Sequence, residues 1–222
     1  MRVSDHIYVY FWEDAQENNC NSILIDGKIP ILIDPGHSHR VSQLFFRMKE
    51  DGFDPKRIKV VICTHAHPDH FEGVSAFQRW AVKIGLSRAE EGLIEETGRA
   101  MYMQHGLPFP DYRIDFYLKE GTLNIGRNEF EILLTPGHSP GSICIHWPRE
   151  KMLFSGDLVF MRSVGRADLP GGNVKELKRS LERISQLHVD LIIPGHGPGI
   201  VGEEEVQANF EFVKKAFFGV LA

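Results

Sequence analysis

The residues best suited to chemistry fall in four short segments. Thr64-His65-Ala66-His67-Pro68-Asp69-His70 places four candidate metal ligands within six residues. Thr135-Pro136-Gly137-His138, Ser155-Gly156-Asp157 and Pro194-Gly195-His196-Gly197-Pro198 add three more. Five histidines and two aspartates are enough for two metal ions that share a bridging carboxylate. Neutral imidazole and carboxylate suit zinc, manganese and iron. Each segment alone has an ordinary explanation. Asp69 with Glu72 reads as a capping box opening a helix over residues 70–80, and Pro136-Gly137 and Pro194-Gly195 are turn dipeptides. Turn chemistry does not explain four such segments, each closing an apolar run.

Those runs, residues 58–63, 130–134, 151–154 and 190–193, are β-branched and read as strands. Ligands on loops at strand ends would converge on one sheet edge, where a rigid scaffold presents them. Further strands are expected over 6–12, 22–26, 29–33 and 81–86, with Asp26-Gly27-Lys28 as a hairpin turn. Helical spacing at 41–49 puts Leu44, Phe45 and Met48 on one face. The second half repeats the plan, with strands at 122–125, 129–134, 142–147, 151–155 and 190–193 and helices at 174–187 and 203–217. Strands in the middle with helices outside imply an α/β protein, a four-layer αββα sandwich formed as a single domain over residues 1–222. Residues 87–117 read as a helical insertion, with Leu93, Ile94, Thr97, Met101 and Tyr102 on one face. A packing element and a lid over the metal site are both open for it.

With Cys20-Asn21-Ser22 and Leu32-Ile33-Asp34-Pro35-Gly36 added, nearly the whole chain resembles the metallo-β-lactamase superfamily, and within it the single-domain glyoxalase II-like hydrolases. The resemblance implies the same αββα fold. It also implies that His65, His67 and His138 bind one metal, that Asp69, His70 and His196 bind the other, and that Asp157 bridges them. Glu72 departs from the family pattern, which has a small residue there. The implied reaction is hydrolysis of a small thioester or acyl ester. Two ions about 3.5–4 Å apart would lower the pKa of a shared water to near neutrality, and the hydroxide would attack the carbonyl. Zinc is the expected metal, with iron or manganese as alternatives. Asp69 has a second, catalytic role open to it, orienting that water or carrying its proton.

Asp34, at the end of an apolar run, is the candidate carboxylate for fixing a ligand imidazole from behind; an Asx-type turn before Pro35 is the alternative. In glyoxalase II-like proteins the loop after the bridging aspartate lines the substrate cleft. Here it is Phe160-Met161-Arg162-Ser163-Val164-Gly165-Arg166-Ala167-Asp168, which makes Phe160 and Arg166 the substrate-binding candidates. Arg166 would clamp a substrate carboxylate; a loop-tying pair with Asp168 is the alternative. About one helix of chain follows His196, so the separate C-terminal helical domain of full-length glyoxalase II is not expected, and glutathione specificity is not carried over. Two other chemistries stay open on the same residues. One is a mononuclear non-haem iron persulfide dioxygenase using His65, His138 and Asp157; the other is lactone or phosphodiester hydrolysis.

A net charge of −5 argues against a nucleic-acid partner. No apolar run approaches the ~20 residues that cross a bilayer, and the N-terminus lacks a signal-peptide pattern. Three cysteines cannot all pair, and Cys63 and Cys144 sit in apolar strand patterns. Buried free thiols and a reducing, cytoplasmic setting are therefore expected. The partner is expected to be an anionic small molecule, and a homo-oligomer is compatible with the sequence. His6, His37, His39, His105, His146 and His188 lie outside the metal motifs and are expected to serve surface or packing roles.

Overall fold

Short β-branched runs build the larger, seven-stranded sheet in the computed structural model, which describes residues 2–13, 17–78, 80–104, 106 and 108–219. The chain divides into two units, Met1–Leu118 with Ile125–Arg127 and Lys119–Asn124 with Asn128–Ala222. In the first unit β1 (Arg2–Ser4), β2 (Ile7–Tyr10), β3 (Ser22–Ile25), β4 (Ile31–Ile33), β5 (Val60–Ile62), β6 (Lys83–Ser87) and β7 (Phe116–Leu118) follow one another in space as in sequence. Pairing is antiparallel from β1 to β4 and parallel from β4 to β7. Parallel neighbours need crossovers. Helix α1 (Val41–Glu50) supplies the first of these. The second is α2 (Pro68–Phe71), continued by a 3₁₀ turn over Glu72–Phe77. The third runs through α3 (Arg88–Leu93), a π turn (Ile94–Gly98) and α4 (Arg99–Gln104).

Register sets the core. Leu24, Leu32, Val61 and Ile84 are direct cross-strand partners in one row. They pack with Leu44 and Met48 of α1 and with Phe71, Val74 and Phe77. Ile23, Ile25, Ile31 and Ile33 point the other way and are also buried. Burial on both faces is why these strands read as unbroken apolar runs instead of alternating ones.

The second unit holds β8 (Gly121–Ile125), β9 (Asn128–Leu134), β10 (Ile143–Trp147), β11 (Met152–Gly156), the hairpin strands β12 (Val159–Phe160) and β13 (Ser163–Val164), α5 (Val174–Ile184), β14 (Leu191–Pro194), β15 (Ile200–Val201) and α6 (Glu203–Phe217). Its main sheet runs β15-β14-β11-β10-β9-β8. The parallel pair of β11 with β14 is crossed over by α5. Leu133, Cys144, Leu153 and Ile192 pack against Leu177 and Leu181 of α5 and Val206, Phe210 and Val213 of α6. Asn173 caps α5 by accepting from the Lys175 and Glu176 amides.

Several expectations needed correction. The helix expected over 70–80 is one α turn followed by 3₁₀ geometry, with His67 and not Asp69 at the N-cap. The carboxylates that suggested a capping box have other partners: Asp69 accepts from Asn18 and Glu72 from Ser38. The Gly73 amide donates to Gly36 O at 2.6 Å, so it is withdrawn from any helical ladder. The 87–117 insertion is helical only as far as Gln104 and returns as edge strand β7. Its aromatic residues pack in series, Tyr102 on Phe109, Phe109 on Tyr112 and Tyr112 on Phe71 of α2. The Met101 side chain and residues His105 and Leu107 lie outside the described residues. Cys20, Cys63 and Cys144 are buried free thiols. No described helix is long and apolar enough to cross a membrane.

Candidate metal centre

Strand β5 ends at Ile62, and the chain turns into α2 through the first ligand segment. Proline at the first helical position and an extended His67 fix that turn. His65 and His70 are fully buried, with ring centroids 4.1 Å apart, and the His67 ring stands edge-on to His65 at 4.7 Å. Buried carboxylates brace the segment from behind. Asp34 accepts from the Thr64 amide (2.7 Å) and the Thr64 hydroxyl (2.7 Å), and its Oδ2 lies 2.8 Å from His70 Nδ1. A carboxylate at Nδ1 places the imidazole proton there and turns the Nε2 lone pair outward. Asp34 holds φ at 52°, the left-handed region that Asp tolerates better than most residues. Glu90 of α3 accepts from the Ala66 amide at 2.7 Å. Asn18 donates to Asp69 Oδ2 at 2.6 Å, and that oxygen stands 3.9 Å from His70 Nε2.

Three loops of the second unit carry the other ligand candidates. Asp157 Oδ2 lies 3.5 Å from His138 Nε2 and 3.4 Å from His196 Nε2. Both separations exceed the usual hydrogen-bond range of about 2.7–3.2 Å. They match the edge of a tetrahedron, about 3.3–3.6 Å, that follows from ligand bonds of about 2.0–2.2 Å. Arg166 O, which can only accept, lies 2.7 Å from His138 Nδ1. The neutral ring therefore carries its proton at Nδ1, and Nε2 turns a lone pair toward a carboxylate oxygen. Two acceptors facing each other at this distance are stable with a cation between them. One carboxylate oxygen stands at ligand-edge distance from two separate imidazoles, and the donor set fits divalent metal.

Backbone packing holds these loops. The Gly195 amide donates to Gly156 O at 2.8 Å, tying the loop of His196 to that of Asp157. A Cβ on Gly165 would stand 1.7 Å from Asp157 O and 3.2 Å from His138 Nδ1, so only glycine fits there. At Gly137, with φ of 134°, a Cβ would meet the Leu177 amide at 2.1 Å.

The Phe160 ring stands edge-on to His196 at 6.0 Å. The Arg166 guanidinium makes a bidentate pair with Asp168, Nε to Oδ1 at 2.9 Å and a terminal nitrogen to Oδ2 at 2.8 Å. Both side chains are about two-thirds exposed. The loop-tying alternative for Arg166 is thus present in the structure, and it is the Arg166 main chain that touches a ligand candidate. Sequence reasoning missed Asn18, Glu90 and the buried pair His37–Glu72 at 2.7 Å. Asn18 and Glu90 lie 51 and 24 residues from their partners, and no local spacing signals them.

Comparison with known proteins places the chain in a family. The metallo-beta-lactamase superfamily domain matches residues 15–196. The chain is 31% identical over 201 residues to hydroxyacylglutathione hydrolase GloC of Haemophilus influenzae, covering 88% of this chain and 92% of that one. It is 33% identical over 174 residues to the probable metallo-hydrolase YqgX of Bacillus subtilis, covering 76% and 80%. A crystal structure of the protein TTHA1623 in a di-iron-bound form superposes with a TM-score of 0.70 at 35% identity, covering 82% of this chain and 89% of that one. With a family match over most of its length and metallo-hydrolase relatives above 30% identity, the chain belongs to the metallo-beta-lactamase superfamily and is a metal-dependent hydrolase.

Proposed function

We propose that the two sets of ligands serve one binuclear centre. His65, His67 and His138 hold one ion, Asp69, His70 and His196 the other, and Asp157 joins them. The reaction is hydrolysis of a small anionic thioester or acyl ester. The observation that supports it best is the placement of Asp157 Oδ2 at 3.5 and 3.4 Å from two imidazole nitrogens. Bound divalent ions supply a Lewis-acid pair that acidifies water and draws charge from the scissile carbonyl.

The chain's own groups do the rest. Asp34 and Arg166 O keep His70 and His138 in the tautomer that offers Nε2. Asn18 holds Oδ2 of Asp69, and the Asp69 carboxylate orients the attacking water and takes its proton. Phe160 walls the side of His196 and limits water around the acyl group. Zinc suits the nitrogen and oxygen donors, and iron is supported by the di-iron form of TTHA1623. The hydroxyacylglutathione hydrolase name of the Haemophilus relative supports a hydroxyacyl thioester. Three buried free thiols fit a reducing cytoplasm.

The test is metal analysis of protein purified without added metal, with hydrolysis of a hydroxyacyl thioester of glutathione as the activity probe. Asp157→Ala is expected to lose more metal and more activity than His196→Ala, beyond the roughly 10–100-fold typical of losing a group that only supports a ligand. Equal metal content and equal residual activity in the two variants would overturn the bridging role. A His196→Ala protein that keeps its iron and consumes oxygen on glutathione persulfide would point to the dioxygenase chemistry instead.

A further inference from the structure

Outside the ligand motifs, the first unit holds a second group of metal-binding side chains. Ligand atoms of His37, His39 and Glu72 all lie within 4.8 Å of one another. His37 and Glu72 are buried and His39 is half exposed, so the group opens to solvent on one side. We propose that His37, His39 and Glu72 form an accessory site for a divalent transition metal such as zinc, nickel or copper.

The site is built, not a chance meeting of surface side chains. His37 Nδ1 lies 2.7 Å from Glu72 Oε2, and Ser38 Oγ donates to Glu72 Oε1 at 2.8 Å. The two backbone segments that carry them are stitched together, with the Gly73 amide on Gly36 O at 2.6 Å. A Cβ at Gly73 would stand 2.7 Å from Gly36 O, so this approach depends on glycine. The His37 amide donates to Asn19 Oδ1 at 2.8 Å, which fixes the start of the 3₁₀ turn Ser38–Arg40. The His37 and His39 rings stack at 5.3 Å with 30° between their planes, so they approach the same space from one side.

The donor set is two imidazoles and one carboxylate, borderline ligands that favour zinc, nickel and copper over calcium or magnesium. His39 binding through Nδ1 keeps its Nε2 on Glu17, which Arg40 also holds. A carboxylate behind a ligating imidazole is the usual arrangement. Ion binding there exchanges the His37–Glu72 hydrogen bond for metal–ligand bonds, and neither oxidant nor reductant is needed. Glu72, where the family has a small residue, thereby acquires a role.

The experiment counts ions. Wild-type protein and His39→Ala are dialysed against excess zinc, freed of loose metal on a desalting column, and analysed for zinc per chain. His39 is exposed and outside the proposed centre, so this variant keeps its fold and its hydrolase activity. His39→Ala is expected to hold one ion fewer per chain. Copper added to the zinc-filled proteins is expected to give a nitrogen-coupled electron paramagnetic resonance signal in wild type that His39→Ala lacks. Equal zinc counts and the same copper spectrum in both proteins would overturn the site. The difference between these two proteins is read whether the Asp157 variant shows one ion or two at the main centre, so the two proposals fail separately.

Discussion

The two sets of ligand candidates are held in different ways. In the first unit four candidates fall within six residues, and buried carboxylates on other elements brace them: Asp34 on His70 and Thr64, Glu90 on the Ala66 amide. In the second unit three candidates come from three loops, and main-chain contacts brace them: Arg166 O on His138, Gly156 O on the Gly195 amide, and Gly165 against Asp157 O. Side-chain bracing allows tuning by a single charge. Main-chain bracing leaves no room for a side chain at all. The first set should therefore fail electrostatically when disturbed, and the second should fail sterically.

The largest effect is expected at Gly165. Its Cβ would stand 1.7 Å from Asp157 O, a backbone atom that cannot swing aside. Gly165→Val must displace the Asp157 segment or its own loop, and overpacking of this kind costs about 1–3 kcal/mol or more. We expect a lower Tm and loss of bound metal in the same variant. A Gly165→Val protein with wild-type metal content would show that the second set is not fixed by this contact.

Next is Asp34→Asn, which keeps the shape and removes the charge. Asp34 meets the Thr64 amide, the Thr64 hydroxyl and His70 Nδ1. An amide offers one oxygen to these groups, so its NH₂ must face either the Thr64 amide or the side shared with His70. The first opposes two donors; the second favours the His70 tautomer that blocks Nε2. Metal affinity is expected to fall by roughly 10–100-fold, with a much smaller change in Tm than Gly165→Val. If affinity is unchanged while Tm falls, Asp34 serves the turn before Pro35 and not the ligand.

The same contrast explains what was legible. The His65–His70 segment stands out because its chemistry is contiguous, and the loops of His138, Asp157 and His196 stand out because each ends an apolar strand. Helix α6 runs over 203–217 as its periodicity indicates, with Val206, Phe210 and Val213 buried along it. The 70–80 helix was misread because Asp69 and Glu72 have capping-box spacing but spend their carboxylates on Asn18, His37 and Ser38. Strands β1, β12, β13 and β15, of two or three residues each, are too short to show a period. His37 reads from sequence as a surface or packing histidine because its partner lies 35 residues away.

The smallest expected effect, and the one that bears on substrate, is at Arg166. Its carbonyl supports His138 whatever the side chain, so substitution tests the guanidinium alone. The guanidinium is engaged by Asp168, whose carboxyl the pairing holds down to about 2. An anionic substrate that uses Arg166 must compete with Asp168 for it. Arg166→Lys keeps the charge but loses the planar fork, and KM for a carboxylate-bearing thioester is expected to rise roughly 10-fold, as for one lost charge-assisted hydrogen bond. Asp168→Asn frees the fork and is expected to lower that KM. Neither variant should change turnover of an uncharged ester, and neither should shift Tm measurably, because both side chains are exposed. If charged and uncharged substrates suffer alike in Arg166→Lys, the pair with Asp168 serves only the loop.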